Sequence, residues 1–410
     1  MRILHFSDVH IGVENYGKLD VDTGLSTRLL DFLAAFDEVV SYAVQANVDL
    51  VLFCGDAYKS KDPTQTHQRE FARRIARLSS AGIPVFLLVG NHDVPAVASR
   101  ASALEIFPTL NVQNIYTGET LTTYRVPTRD GVLQIVALPW IRRSTFLARE
   151  DTRGLNAEEI NEAIQRRLSQ AIELEAQKLD VGLPAVFAGH VSVGGSKTGS
   201  EQSMMLGRDH VLLKSEVALP QFDYVALGHV HRHQVLAHEP YVVYSGSLQR
   251  VDFGEEQDDK GFCVIDIDPA APRGLRVTGF EFKSVEARRF LTIKVKLRGG
   301  EPDPTDKVIN AVMAEDVREA IVRVLIELPG ELEGHLREAD IRTALAEAHF
   351  VASISKEVTD ERRVRLGSAY NEVLEPQEAL KLYLESREVS LERAEVLMKH
   401  AAELQREDLG

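Results

Sequence analysis

Asp8, His10, Asp56, Asn91, His190, His229 and His231 are all residue types that can hold a metal ion, and each follows closely on a short apolar run. "ILHF" leads into Ser7-Asp8-Val9-His10, "LVLFC" into Gly55-Asp56, and "VFLLV" into Gly90-Asn91-His92-Asp93. "AVFA" leads into Gly189-His190 and "YVAL" into Gly228-His229-Val230-His231. A lone Gly-Asp is ordinary turn chemistry, and a lone histidine at a strand end is more often packed than ligating. Repetition at five apolar ends is not explained that way. Asp8 and His10 are spaced i, i+2, as are His229 and His231, which in extended backbone puts both side chains on one face. Carboxylates, imidazoles and one amide oxygen, without thiolate, favour Mn, Fe or Zn over a Cys-rich zinc site or an all-oxygen calcium cage. Seven ligands exceed what one tetrahedral ion needs and suit two ions sharing a carboxylate. Ions roughly 3.5–4 Å apart can activate water and stabilise the leaving oxygen of an in-line phosphoryl displacement.

The elements that must position these residues are short buried strands. Up to about residue 280, strand-like runs alternate with helical stretches, the clearest at 64–80, where Phe71, Ile75 and Leu78 recur at i, i+4, i+7, and at 157–178. This is an α/β pattern, in which ligand sites lie just beyond the carboxyl ends of the strands. The turn-rich "DPAAPRG" at 268–274 reads as a break, so a core is expected over 1–280. A small α/β domain is expected over 285–360 in the order strand, helix, strand, helix, strand, and a pair of amphipathic helices over 374–410.

Composition bounds the rest. The chain has 410 residues, room for two to three domains, with 44% hydrophobic and 27% charged residues, as ordinary globular proteins have. No apolar stretch approaches a membrane span, and "MRILHFSDVH" enters strand-like sequence at once, so neither a membrane segment nor a signal peptide is expected. Cys54 and Cys263 are too few for a disulfide framework or a zinc ribbon, and the expected location is a reducing cytoplasm. A net charge of −15 argues against coating nucleic acid by charge alone, but a site carrying metal ions can still receive phosphates locally.

The ordered set D-x-H, GD, GNHD, GH and GHxH resembles the calcineurin-like metallophosphoesterase family over residues 1 to about 255. The resemblance implies mixed sheets layered with helices. It also implies that Asp8, His10, Asp56 and His231 hold one ion and that Asp56, Asn91, His190 and His229 hold the other. His92 would protonate the leaving oxygen or contact the phosphate, a task that suits a group titrating near neutrality, and Asp93 would orient it. The opening "MRILHFSDVHIG", the segment "YSGSLQRVDFGEEQDDKGF" (244–262) and the layout of core, capping domain and helical pair are similar to the SbcD nuclease family.

That likeness implies a homodimeric Mn-dependent DNA exonuclease and endonuclease of repair and recombination, acting with an SbcC-type ABC ATPase. The C-terminal pair would grip the ATPase coiled coil through Leu380, Tyr383, Leu384, Leu391 and Met398. Helical stretches at 64–80 and 98–107 would pair two subunits. Lys59, Arg142 and Arg143 are candidates for the substrate phosphates, as are Arg69, Arg73, Arg74 and Arg77 on one helix. Many relatives carry a histidine where Lys59 stands; a lysine holds phosphate as a point charge but is a poor proton shuttle near neutral pH. His5 and His233 read as structural. The alternatives are a small-molecule phosphodiesterase or phosphatase on the same core, or a non-catalytic repair scaffold. The long extension after the core speaks against the first, and the complete ligand set against the second.

Overall fold

The computed structural model describes residues 1–95, 100–142, 156–199 and 211–359, together with 384, 393 and 396–401. It divides into two compact units. The first comprises Met1–Thr292, Glu315–Arg323 and Leu345–Ser353, and the second Ile293–Ala314, Val324–Ala344 and the chain from Ile354 on.

In the first unit, β1 (Arg2–Phe6), β2 (Leu50–Phe53), β3 (Val85–Leu88) and β4 (Ile115–Gly118) run parallel. A second sheet has the order β11-β12-β10-β7-β6-β5. Its strands are β5 (Thr122–Thr128), β6 (Gly131–Leu138), β7 (Ala185–His190), β10 (Tyr224–Gly228), β11 (Gln234–His238) and β12 (Tyr241–Tyr244). The four inner strands of this sheet are parallel, and β5 and β11 are antiparallel edges. A short pair, β8 (Ser192–Val193) and β9 (Val211–Leu212), stands apart. β13 (Gly261–Ile267) and β14 (Val277–Ser284) complete the first sheet, in the order β14-β13-β1-β2-β3-β4, with β13 antiparallel to β1. These are the mixed sheets layered with helices that the sequence implies.

The inner strands are apolar on both faces because both faces are covered. Ile3, Leu50, Leu52 and Phe86 pack between the sheets against Ile135, Val186, Ala188 and Ala226. Leu4, Phe6, Val51 and Phe53 face the other way, into a core shared with α1 (Thr27–Gln45) and α2 (Gln65–Ser80). Thr64 caps α2 by accepting from His67 N, and Phe71, Ile75 and Leu78 are the buried stripe that the spacing predicts. Each such side chain contributes about 1.5–3 kcal/mol through burial. α3 (Ala157–Gln177) begins at a capping box of Asn156 and Glu159 and buries Ile164, Leu168 and Ile172 against the second sheet.

The sequence break at 268–274 is instead the connection between β13 and β14, closed by Asp268 N donating to Arg276 O at 2.8 Å. β14 remains part of the first sheet, so residue 280 falls inside a strand and the first unit runs on to Thr292. Turn-forming residues mark a hairpin as readily as a linker.

Beyond it, β15 (Phe290–Lys296), α4 (Pro304–Met313), β16 (Ile321–Pro329), α5 (Glu338–Ala344) and β17 (Phe350–Thr359) follow the expected element order. The sheet order is β15-β16-β17. In the second unit Val324, Ile326 and Leu328 alternate as buried residues along β16, and Asp303 caps α4 ahead of Pro304. Leu384 is buried and Met398 half-buried; Leu380, Tyr383 and Leu391 lie outside the described residues. No helix among the described residues is long and apolar enough to cross a membrane.

Candidate metal centre

The carboxyl ends of β1, β2, β3, β7 and β10 deliver all five motifs to one edge of the paired sheets. Backbone bonds register the first two: Asp8 N donates to Gly55 O at 2.9 Å and His10 N to Asp56 O at 3.1 Å. The glycines before the ligands answer to crowding. A Cβ on Gly228 would stand 2.0 Å from Cys54 O, and one on Gly55, at φ +94°, would stand 2.4 Å from His190 Nδ1. Asp8, His10, Asp56 and His229 hold φ of 53°, 48°, 62° and 98° without being glycine. Such backbone costs on the order of 1–3 kcal/mol each and persists only where surrounding structure over-determines it.

The side chains then converge. His10 Nε2 lies 2.9 Å from His231 Nε2, 3.7 Å from Asp56 Oδ2 and 3.9 Å from Asp8 Oδ1. On the other side of Asp56, His190 Nε2 lies 3.5 Å from the same Oδ2 and 2.8 Å from Asn91 Oδ1, which is 3.1 Å from His229 Nδ1. Asp56 therefore stands between two clusters. Asp8, His10 and His231 group around one point, and Asp8, Asp56 and His190 around another. His190 Nδ1 donates to Cys54 O at 2.7 Å, which leaves its Nε2 facing Asn91 Oδ1 and Asp56 Oδ2. Lone-pair atoms that meet this closely in a buried site need protons or a cation between them. His10 Nδ1, buried, has no hydrogen-bond partner among the described residues.

Electrostatics follow the same division. Burial pushes the His10 imidazole well below its ordinary pKa, and His231 adds to this, leaving a neutral lone-pair donor. Burial would raise the Asp56 carboxyl, but His190, His92 and His10 outweigh it and hold it well below the usual range. The His190 imidazole is pulled down by burial and lifted further by Asp56, to about 9. The residue set fits divalent cations in an N/O environment.

His92 sits half-buried beside this centre, edge-on to His10 at 5.0 Å. Its Nδ1 donates to Lys59 O at 2.7 Å and its amide to Asp56 Oδ1 at 2.8 Å. Asp93 does not orient that ring, contrary to expectation. Its carboxylate accepts from Asp56 N at 2.9 Å, Gly90 N at 2.9 Å and Ala57 N at 3.0 Å, so it secures the backbone that carries Asp56. Burial, with Asp56 adding to it, pushes the Asp93 carboxyl up to about 7. Lys59 is half-buried at the same rim.

The basic residues are less available than the sequence suggests. Arg142 donates to Pro95 O, and Arg143 lies outside the described residues. Arg69 and Arg73 pair with Glu70, Arg74 with Glu70 and Asp37, and Arg77 with Asp37. They fasten α2 to its own carboxylates and to α1. Of the 98–107 stretch, the described part holds a 3-10 turn, Ala103–Glu105, and the start of the one-turn helix Ile106–Thr109. His5 is structural as expected, with Nδ1 3.0 Å from Tyr224 Oη and Nε2 3.2 Å from Leu227 O, and His233 stacks on Phe282 at 3.9 Å.

Several residues of the site are not among the candidates that the sequence singles out. Trp140 leans on His229 with ring centroids 5.2 Å apart. Ser7 Oγ donates to Asp8 Oδ2 at 2.5 Å. Glu255 and Lys260, both fully buried, stand behind His231: Glu255 Oε1 is 2.7 Å from His231 Nδ1 and Oε2 is 2.8 Å from Lys260 Nζ. Burial would raise the Glu255 carboxyl, but His231 and Lys260 outweigh it and hold it well below the usual range. In the sequence they are two of seven charged residues in the closing stretch 244–262, and nothing there sets them apart.

Residues 1–233 match the family model described as calcineurin-like phosphoesterase. The chain is similar to the SbcD component of the nuclease SbcCD of Escherichia coli K12, at 27% identity over 264 residues, covering 62% of this chain and 62% of that one. It is likewise similar to the Bacillus subtilis protein of the same name, at 27% identity covering 66% and 67%, respectively. Similarity to the DNA double-strand break repair protein Mre11 of Haloferax volcanii is 25% identity, covering 86% of this chain and 67% of that protein. The chain thus spans about 62% of the length of the Escherichia coli relative. The family match extends over the strand ends that converge on Asp56, and the chain belongs to the calcineurin-like phosphoesterase family.

Proposed function

We propose that this chain is a two-metal DNA nuclease subunit that hydrolyses phosphodiester bonds at DNA ends during repair and recombination. One observation carries the reading: a single buried carboxylate, Asp56, lies between two clusters of nitrogen and oxygen ligands. Asp8, His10, Asp56 and His231 would hold one ion, and Asp56, Asn91, His190 and His229 the other, with manganese, as the likeness to the SbcD family implies, among the ions that suit mixed ligands. Divalent ions bound there supply Lewis acidity and a more acidic water for in-line attack at phosphorus. His92, its Nδ1 committed to Lys59 O, turns its other nitrogen to the centre and passes a proton to the departing oxygen. Lys59 offers a point charge to the phosphate at the rim. The names of the similar proteins favour DNA over a small-molecule ester. The full chain with Mn should cleave linear duplex DNA, and a chelator should stop it; cleavage of bis-p-nitrophenyl phosphate with no action on DNA would overturn the reading.

The same reading gives the protein a cytoplasmic, nucleoid-associated place, a homodimeric state and an SbcC-type coiled-coil ATPase as partner. Removing residues 374–410 should abolish capture by that ATPase and leave Mn-dependent DNA cleavage intact. Undiminished capture would place the partner surface elsewhere.

A further inference from the structure

Three histidines of the site direct Nδ1 in two chemically different ways. His190 and His92 each direct Nδ1 to a neutral backbone carbonyl, those of Cys54 and Lys59, both at 2.7 Å. His231 directs Nδ1 to a carboxylate, Glu255 Oε1, also at 2.7 Å. That carboxylate is itself held on every side. Its Oε2 accepts from Val251 N at 3.0 Å and from Lys260 Nζ at 2.8 Å. Lys260 directs its remaining donors to Ser247 Oγ at 2.9 Å and His231 O at 3.1 Å. Glu255 closes a 3-10 turn, Phe253–Glu255, capped by Asp252 accepting from Gly254 N at 2.7 Å.

We infer that Glu255, fixed by Lys260, is a positioning residue for His231: it sets the ring to present Nε2 and strengthens ion binding by Asp8, His10 and His231. An ionised carboxylate can only accept, so the proton stays on Nδ1 and the Nε2 lone pair is left facing His10 Nε2 at 2.9 Å. A carboxylate behind a ligating histidine also makes that histidine the better donor, and removing such a partner typically costs about 10–100-fold in metal affinity. Lys260 makes the arrangement tenable, because a buried carboxylate with no partner would take up a proton and lose its grip on the tautomer. Among the described residues no carboxylate stands behind His190, whose Nδ1 is taken up by a peptide oxygen.

The inference rests on the two-ion reading, and one titration separates them. The full chain is titrated with MnCl2 by calorimetry, with His231→Ala and His190→Ala used to assign the two binding steps. The double variant Glu255→Gln, Lys260→Met removes both buried charges at nearly constant shape. It should weaken the His231-dependent step about 10–100-fold and leave the other within about twofold. Saturating Mn should restore its turnover close to the parent value. Thermal unfolding without metal shows whether the variant is folded; if it is not, Glu255→Asp, which keeps the charge and withdraws the oxygen, decides by the same criterion. An unchanged His231-dependent step in a folded variant, or equal weakening of both steps, overturns the inference. A parent chain that binds fewer than two ions overturns the two-ion reading instead.

Discussion

Asp56→Asn should bind no more than one Mn ion per chain and lose DNA cleavage by at least about a thousandfold, as expected when both the electrostatic stabilisation and the nucleophile of a metal site are removed. The substitution is nearly isosteric. Its amide oxygen can still accept from His92 N, which Asp56 Oδ1 now does at 2.8 Å, so the GNHD loop keeps its anchor. Asparagine also tolerates the left-handed backbone that Asp56 holds at φ 62°. What disappears is the charge and the second oxygen, Oδ2, the atom that faces both His10 and His190. Equilibrium dialysis against Mn and a duplex-cleavage assay read the two losses separately. Two ions and near-parent cleavage in a folded variant would show that Asp56 is not shared.

His92→Gln should act differently. Cleavage should fall by about 10²–10⁴-fold, the range for loss of a positioned general acid, while both ions stay bound. The structure separates the two effects because the backbone amide of His92, retained in the variant, secures Asp56, whereas only the ring reaches the rim. The ring's orientation comes from Lys59 O, a main-chain atom that no substitution at residue 59 removes. Calorimetry with Mn and single-turnover cleavage of duplex DNA check this pair of outcomes; parent-like cleavage would remove His92 from the chemistry.

The legible part of this protein is its strand ends. Short runs such as "LVLF" are apolar on both faces, which marks strands buried between a sheet and helices, and polar residues at their tips have only one edge to occupy. Helix α2 was legible for the same kind of reason, through Phe71, Ile75 and Leu78. Its arginines were misleading, because nothing in the spacing of Arg69, Arg73, Arg74 and Arg77 shows that Asp37, on a different helix, closes on two of them. Asp93 misled for a related reason: a carboxylate next to a histidine in sequence need not face it, and here it faces three amides. Glu255 and Lys260 were hidden because their partner, His231, lies more than twenty residues away and nothing periodic connects them. Local pattern shows which residues a strand delivers; it does not show what stands behind them.

The first sheet has a consequence for how the chain is made. β1 is a central strand, yet its neighbour on one side is β13, and His5 pairs with Cys263 across that ladder. The strand that carries the first ligand motif thus keeps an open edge until residue 267 has left the ribosome. A contact this distant in sequence pays its loop-closure entropy late, and an unpaired apolar strand invites pairing with other chains meanwhile. The metal-binding edge is therefore completed late in synthesis, long after the strand that carries its first ligands has been made.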